Sequence, residues 1–442
     1  MATPWKKALP PSSLIMRTAA FVFVAVAAWA NGPAPTFSRD VAPILYQHCA
    51  QCHHAGAVAP FPLLTFRDAS KRAPLIAAVT ARRFMPPWLP SAPHFQGERR
   101  LSAAEIATLQ QWVSAGAPQG DPSAAPLPPA FASGWPLGPP GLEAAMRQPF
   151  EIPADGPDRY RCFAIPLARA PQRYVRAIDI QPGNTRAVHH ALLFQDVTGE
   201  ARRRDTGGGY PCFGTPGFLP ARGLGGWTPG KQPVPSLPGM AETLDPGADL
   251  VLQVHYHPTG KPETDRTRVA LYFTQEKPRQ HLTDVPLTSN RIDIPAGERS
   301  YKVTDHFTLP VDVDVFGVIP HAHYICRDML GTAILPNGAR RMLIHIPDWN
   351  FNWQDQYRYR TPVRLPAGTR VEMEFTYDNS ENNPRNPNHP PRRVQYGAAS
   401  TDEMAGLHLE VLPVRASDQD ELGQALWGKM MRMLGGGIYR RQ

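Results

Sequence analysis

From residue 150 onward the chain is a series of short apolar runs, each cut off by proline, glycine, asparagine or aspartate. Residues 174–180, 187–194, 250–256, 269–273, 311–318, 342–346 and 371–377 are such runs. Runs of this length suit strands and are too short for well-formed helices. The spacing of the breakers reads as antiparallel sandwiches rather than alternating β-α-β units. With 51 prolines and 35 glycines, helical bundles are disfavoured as well. About 260 residues of this texture exceed one sandwich. Two are therefore expected, at 147–290 and 291–413, with the break near 288–298.

The preceding part reads differently. Lys6, Lys7 and Arg17 come before an apolar run over 18–30 that ends Ala28-Trp29-Ala30. This is the pattern of an export signal occupying 1–30 and cut after Ala30, with a retained anchor as the alternative. No later run is apolar enough to cross a bilayer, so no membrane span is expected in the mature chain. A periplasmic or secreted location, where disulfides persist, follows. The net charge of +8 is spread out, apart from Arg202-Arg203-Arg204 and Arg392-Arg393, and nucleic acid is not an expected partner.

Asp40 can cap a helix that runs through Cys49, with Pro43 tolerated in its first turn, and that leads into Cys49-Ala50-Gln51-Cys52-His53. Two thiols one turn apart can form thioethers with haem vinyl groups, and the adjacent imidazole then reaches the iron. Half a zinc site or a redox dithiol are the other readings, but no second cysteine pair completes a zinc site. The expected cofactor is one covalent haem c on Cys49, Cys52 and His53. Met85, the sole methionine between Gly32 and Pro122, is the expected sixth ligand, with His48, His54 and His94 as alternatives. Ser102 and Glu105 form a capping box for a helix through Ser114. Residues 34–122 thus resemble a small class I cytochrome c. The expected fold is multidomain: an all-α cytochrome c-like domain, a proline-rich linker at 123–146, two all-β jelly-roll-like sandwiches, and a tail at 414–442 with a short amphipathic helix.

Six of the 15 histidines fall into three clusters on strand-like segments: His189-His190, His255-Tyr256-His257 and His321-Ala322-His323. A single histidine on an apolar run is usually a hydrogen-bonded core residue. Repetition of the pattern makes a metal reading stronger, because neutral imidazole suits copper, zinc, iron or nickel. Residues i and i+2 of a strand share a face, so His321 and His323 can reach one ion. His189 and His190 point to opposite faces of a regular strand and need an edge or a distorted backbone to do the same. By geometry alone, His257 competes with His255.

His189-His190, Gln253-Val254-His255-Tyr256, His321-Ala322-His323 and Thr401-Asp402-Glu403-Met404 occur in this order. The series resembles the type II copper monooxygenases, of which peptidylglycine α-hydroxylating monooxygenase and dopamine β-monooxygenase are members, over about residues 150–413. The resemblance implies one copper on His189, His190 and His255, and a second, catalytic copper on His321, His323 and Met404. Three imidazoles suit a copper that cycles as an electron store, and two imidazoles with a thioether favour Cu(I). It also implies a disulfide between Cys162 and Cys212, leaving Cys326 as an odd, buried thiol. The implied activity is hydroxylation of a C–H bond of a small organic or peptidyl substrate with O2. The electron donor would be a redox protein, a quinol chain or ascorbate, acting through the haem. The positions that hold a substrate carboxylate in the peptidylglycine enzyme are Ile319 and His408 here, so a peptide ending in glycine is not the expected substrate. The alternatives are a non-enzymatic haem and copper protein in electron transfer or copper binding, and a zinc or iron hydrolase, which Met404 fits poorly.

Overall fold

A computed structural model of the chain describes residues 33–438 apart from 93, 132–133, 168–170, 219–220 and 279. The signal expected at 1–30 lies outside the described residues. Strands dominate. In the first half a five-stranded antiparallel sheet runs in the order Tyr210–Pro211, Arg159–Ile165, Asp249–Tyr256, Val188–Asp196, Ala221–Trp227. A four-stranded sheet has the order Leu142–Ala145, Arg268–Thr274, Arg173–Gln181, Glu242–Leu244. Leu193, Leu250 and Leu252 of the larger sheet share one core with Val175, Val269 and Leu271 of the smaller. The Asp249–Tyr256 strand is buried along its whole length because it lies between two others. The end of the proline-rich segment 123–146 supplies the edge strand Leu142–Ala145.

The second half repeats the plan. One sheet runs Thr283–Thr288, Ala405–Pro413, Val313–Ala322, Tyr357–Leu365, and the other Tyr301–Thr308, Arg370–Tyr377, Cys326–Ile334, Arg340–Ile346. Tyr301–Thr308 shows the inward–outward alternation of a half-exposed strand, with Val303 and Phe307 facing the shared core. The tail helix Gln419–Ile438 rests on that core through Leu422, Ala425 and Leu426. Its Lys429 Nζ donates to Asp305 Oδ2 at 2.5 Å, and its Trp427, Met430 and Met431 face solvent. No helix among the described residues is long and apolar enough to cross a membrane. Cys162 and Cys212 form a disulfide, and Cys326 is a buried free thiol.

The expected all-α cytochrome c-like domain ahead of two sandwiches is not what the chain forms. Among the described residues the molecule is mostly strands in several sheets, its helices are few and, the tail helix apart, short, and no all-α cytochrome c-like domain is evident. From Pro35 onward the described residues make one compact unit. The four helices of the N-terminal part, Ala42–His48, Phe66–Ser70, Ala73–Ala81 and Ala103–Ser114, span only five to twelve residues. The chain between the last two is rich in proline, which cannot continue a helix, and it joins the strands instead. Ser91 N donates to His345 O at 2.8 Å, His345 N to Ala92 O at 3.1 Å, and Gln96 N to Arg358 O at 2.8 Å. Phe95 is fully buried in the core of the second half. Local signals fare better than the domain reading. The Ser102–Glu105 capping box is present, with Leu109 and Trp112 on the buried face. The first helix is entered differently, since Thr36 caps the turn before it and Asp40 accepts from Thr36 N.

Candidate metal centre

The Val188–Asp196 strand carries a β-bulge at the histidine pair. Val188 faces Tyr256 and His190 faces His255, while His189 has no partner in the register. One extra residue turns the strand locally, so adjacent side chains need not point apart. As a result His189, His190 and His255 converge. Their Nδ1 atoms stand 3.2 Å apart for His189–His190 and 3.4 Å apart for His190–His255. Nitrogens bound about 2.0–2.1 Å from one ion at tetrahedral angles stand roughly 3.3–3.4 Å apart, so the spacing fits a shared metal.

The third ring is oriented from behind. His255 Nε2 donates to Asp158 Oδ2 at 3.0 Å, which leaves Nδ1 with its lone pair toward the other two rings. Tyr160, paired with His255 in the sheet, stacks on it at 4.1 Å between ring centroids. His257 Nδ1 meets the other oxygen of Asp158 at 2.7 Å and lies outside the cluster. The choice between His255 and His257 that spacing left open is thus made by the backbone, and His257 serves the carboxylate. Burial works to raise the Asp158 carboxyl, but the hydrogen bonds from His255 and His257 hold it well below its usual range. Burial lowers His189 to about 3, and lowers His190 and His255 as well, so all three rings are neutral at neutral pH, the form that could bind a metal.

His321 and His323 lie at the end of the Val313–Ala322 strand, where Ala322 pairs with Ala405 of the next strand. That pairing places Met404 beside them, with its Sδ 3.3 Å from His321 Nε2. The two rings are 5.4 Å apart, nearly perpendicular. His321 Nδ1 donates to Gln354 Oε1 at 2.5 Å and His323 Nδ1 to the Asp402 carbonyl at 3.1 Å. Both Nε2 atoms are then free to act as ligands. Burial lowers His321 to about 4 and His323 to about 3. Glu403 ties the site together. It is fully buried, and its carboxyl accepts from the backbone N–H of His323, Ile325 and Met404 at 2.9, 2.9 and 3.0 Å. One side chain thereby fixes the strand end that carries His323 against the loop that carries Met404.

Phe351 joins the two groups, stacking on His189 at 4.4 Å and meeting His323 edge-on at 5.6 Å. Ile319 and His408 are direct partners across two strands, and His408 Nδ1 is 2.8 Å from Asp284 Oδ2. Asp158, Phe351 and Gln354 carried no signal in the sequence. Glu403 did, as the residue before Met404 in a motif already singled out.

At the N-terminal site, Cys52 N and His53 N both donate to Cys49 O, and the two cysteines are not joined to each other. His53 Nδ1 donates to Phe61 O at 2.9 Å, leaving Nε2 available as an axial ligand. Met85 is half-buried, and no hydrogen bond joins it to His53 among the described residues. The alternatives are engaged elsewhere: His48 with Glu105, His94 with Glu98, and His54 stacked on Phe131 at 3.8 Å.

No protein-family model matches the chain, and no curated protein matches it. Solved structures similar in part include the infectious bursal disease virus VP2 subviral particle, at 11% identity over 62% of this chain and 72% of that one, with a TM-score of 0.19. A putative alpha-L-fucosidase from Bacteroides ovatus matches at 9% identity over 71% and 44%, with a TM-score of 0.16. A putative secreted protein from Eubacterium rectale matches at 9% identity over 58% and 70%, with a TM-score of 0.19. Likeness at this level carries no argument about this chain.

Asp158→Asn is expected to weaken metal capture by the triad about 10–100-fold, because the carboxylate fixes the tautomer and orientation of His255. Competition against a chelator of known affinity measures this. An unchanged affinity would mean that the ring is held by its neighbours alone.

Proposed function

We propose that the chain is an exported copper-dependent monooxygenase that inserts one atom of O2 into a C–H bond of a small organic or peptidyl substrate. The observation that carries the reading is the convergence of three imidazoles, two half-buried and one buried, on one point, with a second group of two imidazoles and a thioether joined to it through Phe351. His189, His190 and His255 would hold one copper, and His321, His323 and Met404 the other. Copper so bound would supply one-electron redox chemistry, with the thioether favouring Cu(I). A haem on Cys49, Cys52 and His53 would supply a further one-electron centre, reduced by a redox protein, a quinol chain or ascorbate.

The rest of the work falls to the protein. Asp158, Gln354 and the Asp402 carbonyl hold the protons of three rings away from the ligand positions. Phe351 keeps an apolar surface between the two groups, which excludes water from that side of each. The pair Ile319 and His408 offers no bidentate cation, so a substrate anchored by its carboxylate at that point is disfavoured. The disulfide agrees with work in an oxidising compartment, as the export signal expected from the sequence would require.

Electron paramagnetic resonance of the Cu(II)-loaded chain tests this. Two nitrogen-coordinated copper signals are expected, both lost on reduction and regained with O2. Copper without nitrogen coupling, or copper that does not cycle, would overturn the reading and favour a passive binding protein.

A further inference from the structure

We propose that a cleft between the two halves binds a small hydroxycarboxylate with an apolar body, its carboxylate held by Lys231 and Arg358 and its hydroxyl donating to Glu410. Neither copper nor haem enters into this. A cavity of about 610 Å³ opens where the first half, the second half and the helical segment meet. That volume falls in the range of small-molecule pockets, roughly 300–1,000 Å³. The wall on the side of the first half is apolar, with Ile178 beside Leu224 and Trp227 of the Ala221–Trp227 strand. A Cβ on Gly223, also in this wall, would meet nothing within 4 Å. A flat apolar body can therefore lie close against the strand there.

The wall from the second half is polar, and the sheet register builds it. Arg358 and Glu410 both pair with Gly317 of the Val313–Ala322 strand. Their neighbours Tyr357, Tyr359, Leu409 and Val411 point into the core of the second half, so Arg358 and Glu410 point out of it. A Cβ on Gly317 would lie 2.9 Å from Glu410 Oε2 and 3.5 Å from Arg358 Cγ. The glycine thus lets the two side chains lean over one point. Among the described residues, Glu410 Oε2 is buried without a hydrogen bond, and no ion pair holds the Arg358 guanidinium. Lys231, from the first half, is half-buried and unpaired as well, within electrostatic reach of both. None of the clustered histidines lines the cavity. His321 stands four residues beyond Gly317 on the same strand, about 13 Å at the usual rise.

Two further donors lie in the same lining. Trp88 Nε1 and Arg99 Nε are buried from solvent and make no hydrogen bond, and the Arg99 guanidinium sits over the Trp88 ring at 5.6 Å. The other charged groups of the cavity are accounted for. The carboxylates of Asp355, Asp284 and Asp179 are engaged by Arg99, His408 and Gln181. Arg176 lies over the Tyr272 ring, and burial raises the Glu242 carboxyl, which favours its neutral form. What stays open is Lys231 and Arg358 against the single carboxylate of Glu410, with Trp88 and Arg99 as additional donors. The two oxygens of a carboxylate accept from such donors, with the strength of charge-assisted hydrogen bonds. A hydroxyl beside it donates to Glu410. An inorganic anion would leave Glu410 without a donor and the apolar wall uncovered.

The test uses the full chain and three matched probes. Mandelate carries both polar groups and an apolar ring, phenylacetate lacks the hydroxyl, and phenylethylene glycol lacks the carboxylate. Isothermal titration should give mandelate one site with a dissociation constant of about 1 mM or tighter. Phenylacetate should bind about fivefold more weakly or worse, because Glu410 Oε2 stays unpaired, and phenylethylene glycol at least about tenfold more weakly. Lys231→Met and Arg358→Leu should each weaken mandelate by about tenfold or more, with the copper content unchanged. Glu410→Leu should erase the preference for mandelate over phenylacetate. No saturable binding of mandelate, equal binding of phenylethylene glycol, or mandelate binding untouched by both cation substitutions would overturn the proposal. Should Arg358→Leu fail to fold, Lys231→Met and the probe series decide.

Discussion

Replacing His255 with alanine is expected to remove one of two bound coppers and to weaken the triad's affinity by roughly two to three orders of magnitude. The size follows from sharing a site energy of about 10–16 kcal/mol, typical of four-ligand metal sites, among its ligands. The ring is 1% exposed and lies opposite His190 in the register, so no neighbouring side chain can take its place. His257 is the obvious substitute by sequence. It is, however, bound to Asp158 and turned away from the cluster. The variant leaves His321, His323 and Met404 in place, so one copper should remain. Elemental analysis after dialysis gives the count, and isothermal titration gives the affinity. Retention of both coppers would show that the three Nδ1 atoms do not share an ion.

Met404→Leu is expected to abolish turnover, by at least about a hundredfold, while stability and the haem spectrum change little. The swap conserves shape closely enough to cost less than about 1.5 kcal/mol. It removes the sulfur that faces His321 Nε2 and with it the proposed soft ligand that would favour Cu(I). Glu403 should keep the loop in place, because its hydrogen bonds are to backbone N–H groups and not to the methionine side chain. Oxygen consumption with a reductant reads the turnover, and Cu(I) competition reads the site. Full activity in the variant would remove Met404 from the ligand set.

The parts of this site that were legible in the sequence are those set by strand period. His321 and His323 share a face because they are two apart, and the structure joins them to Met404 through the pairing of Ala322 with Ala405. Adjacent histidines posed a geometric problem, and the bulge at His189 is its solution. The groups that hold the rings from behind were illegible for a simple reason. Asp158 reaches His255 across 97 residues, and Gln354 reaches His321 across 33, from loops without period or motif. In the fold, breaker spacing marked strands well, since the run at 371–377 lies within Arg370–Tyr377 and the run at 174–180 within Arg173–Gln181. The helical domain failed at a longer range. The capping box at Ser102 is a local signal and formed as expected, but nothing local shows that Ser91 bonds to a strand 254 residues away. Those bonds tie the helical segment into the sheets and leave no all-α domain standing apart.

The proposed function requires that the histidine clusters hold copper in a chain that also carries haem. The copper-to-haem ratio of the purified, copper-supplied protein tests it most directly, by elemental analysis beside a pyridine haemochrome assay. Two coppers per haem are expected. Haem without copper would contradict the account and leave the clustered histidines as a structural feature of the sheets.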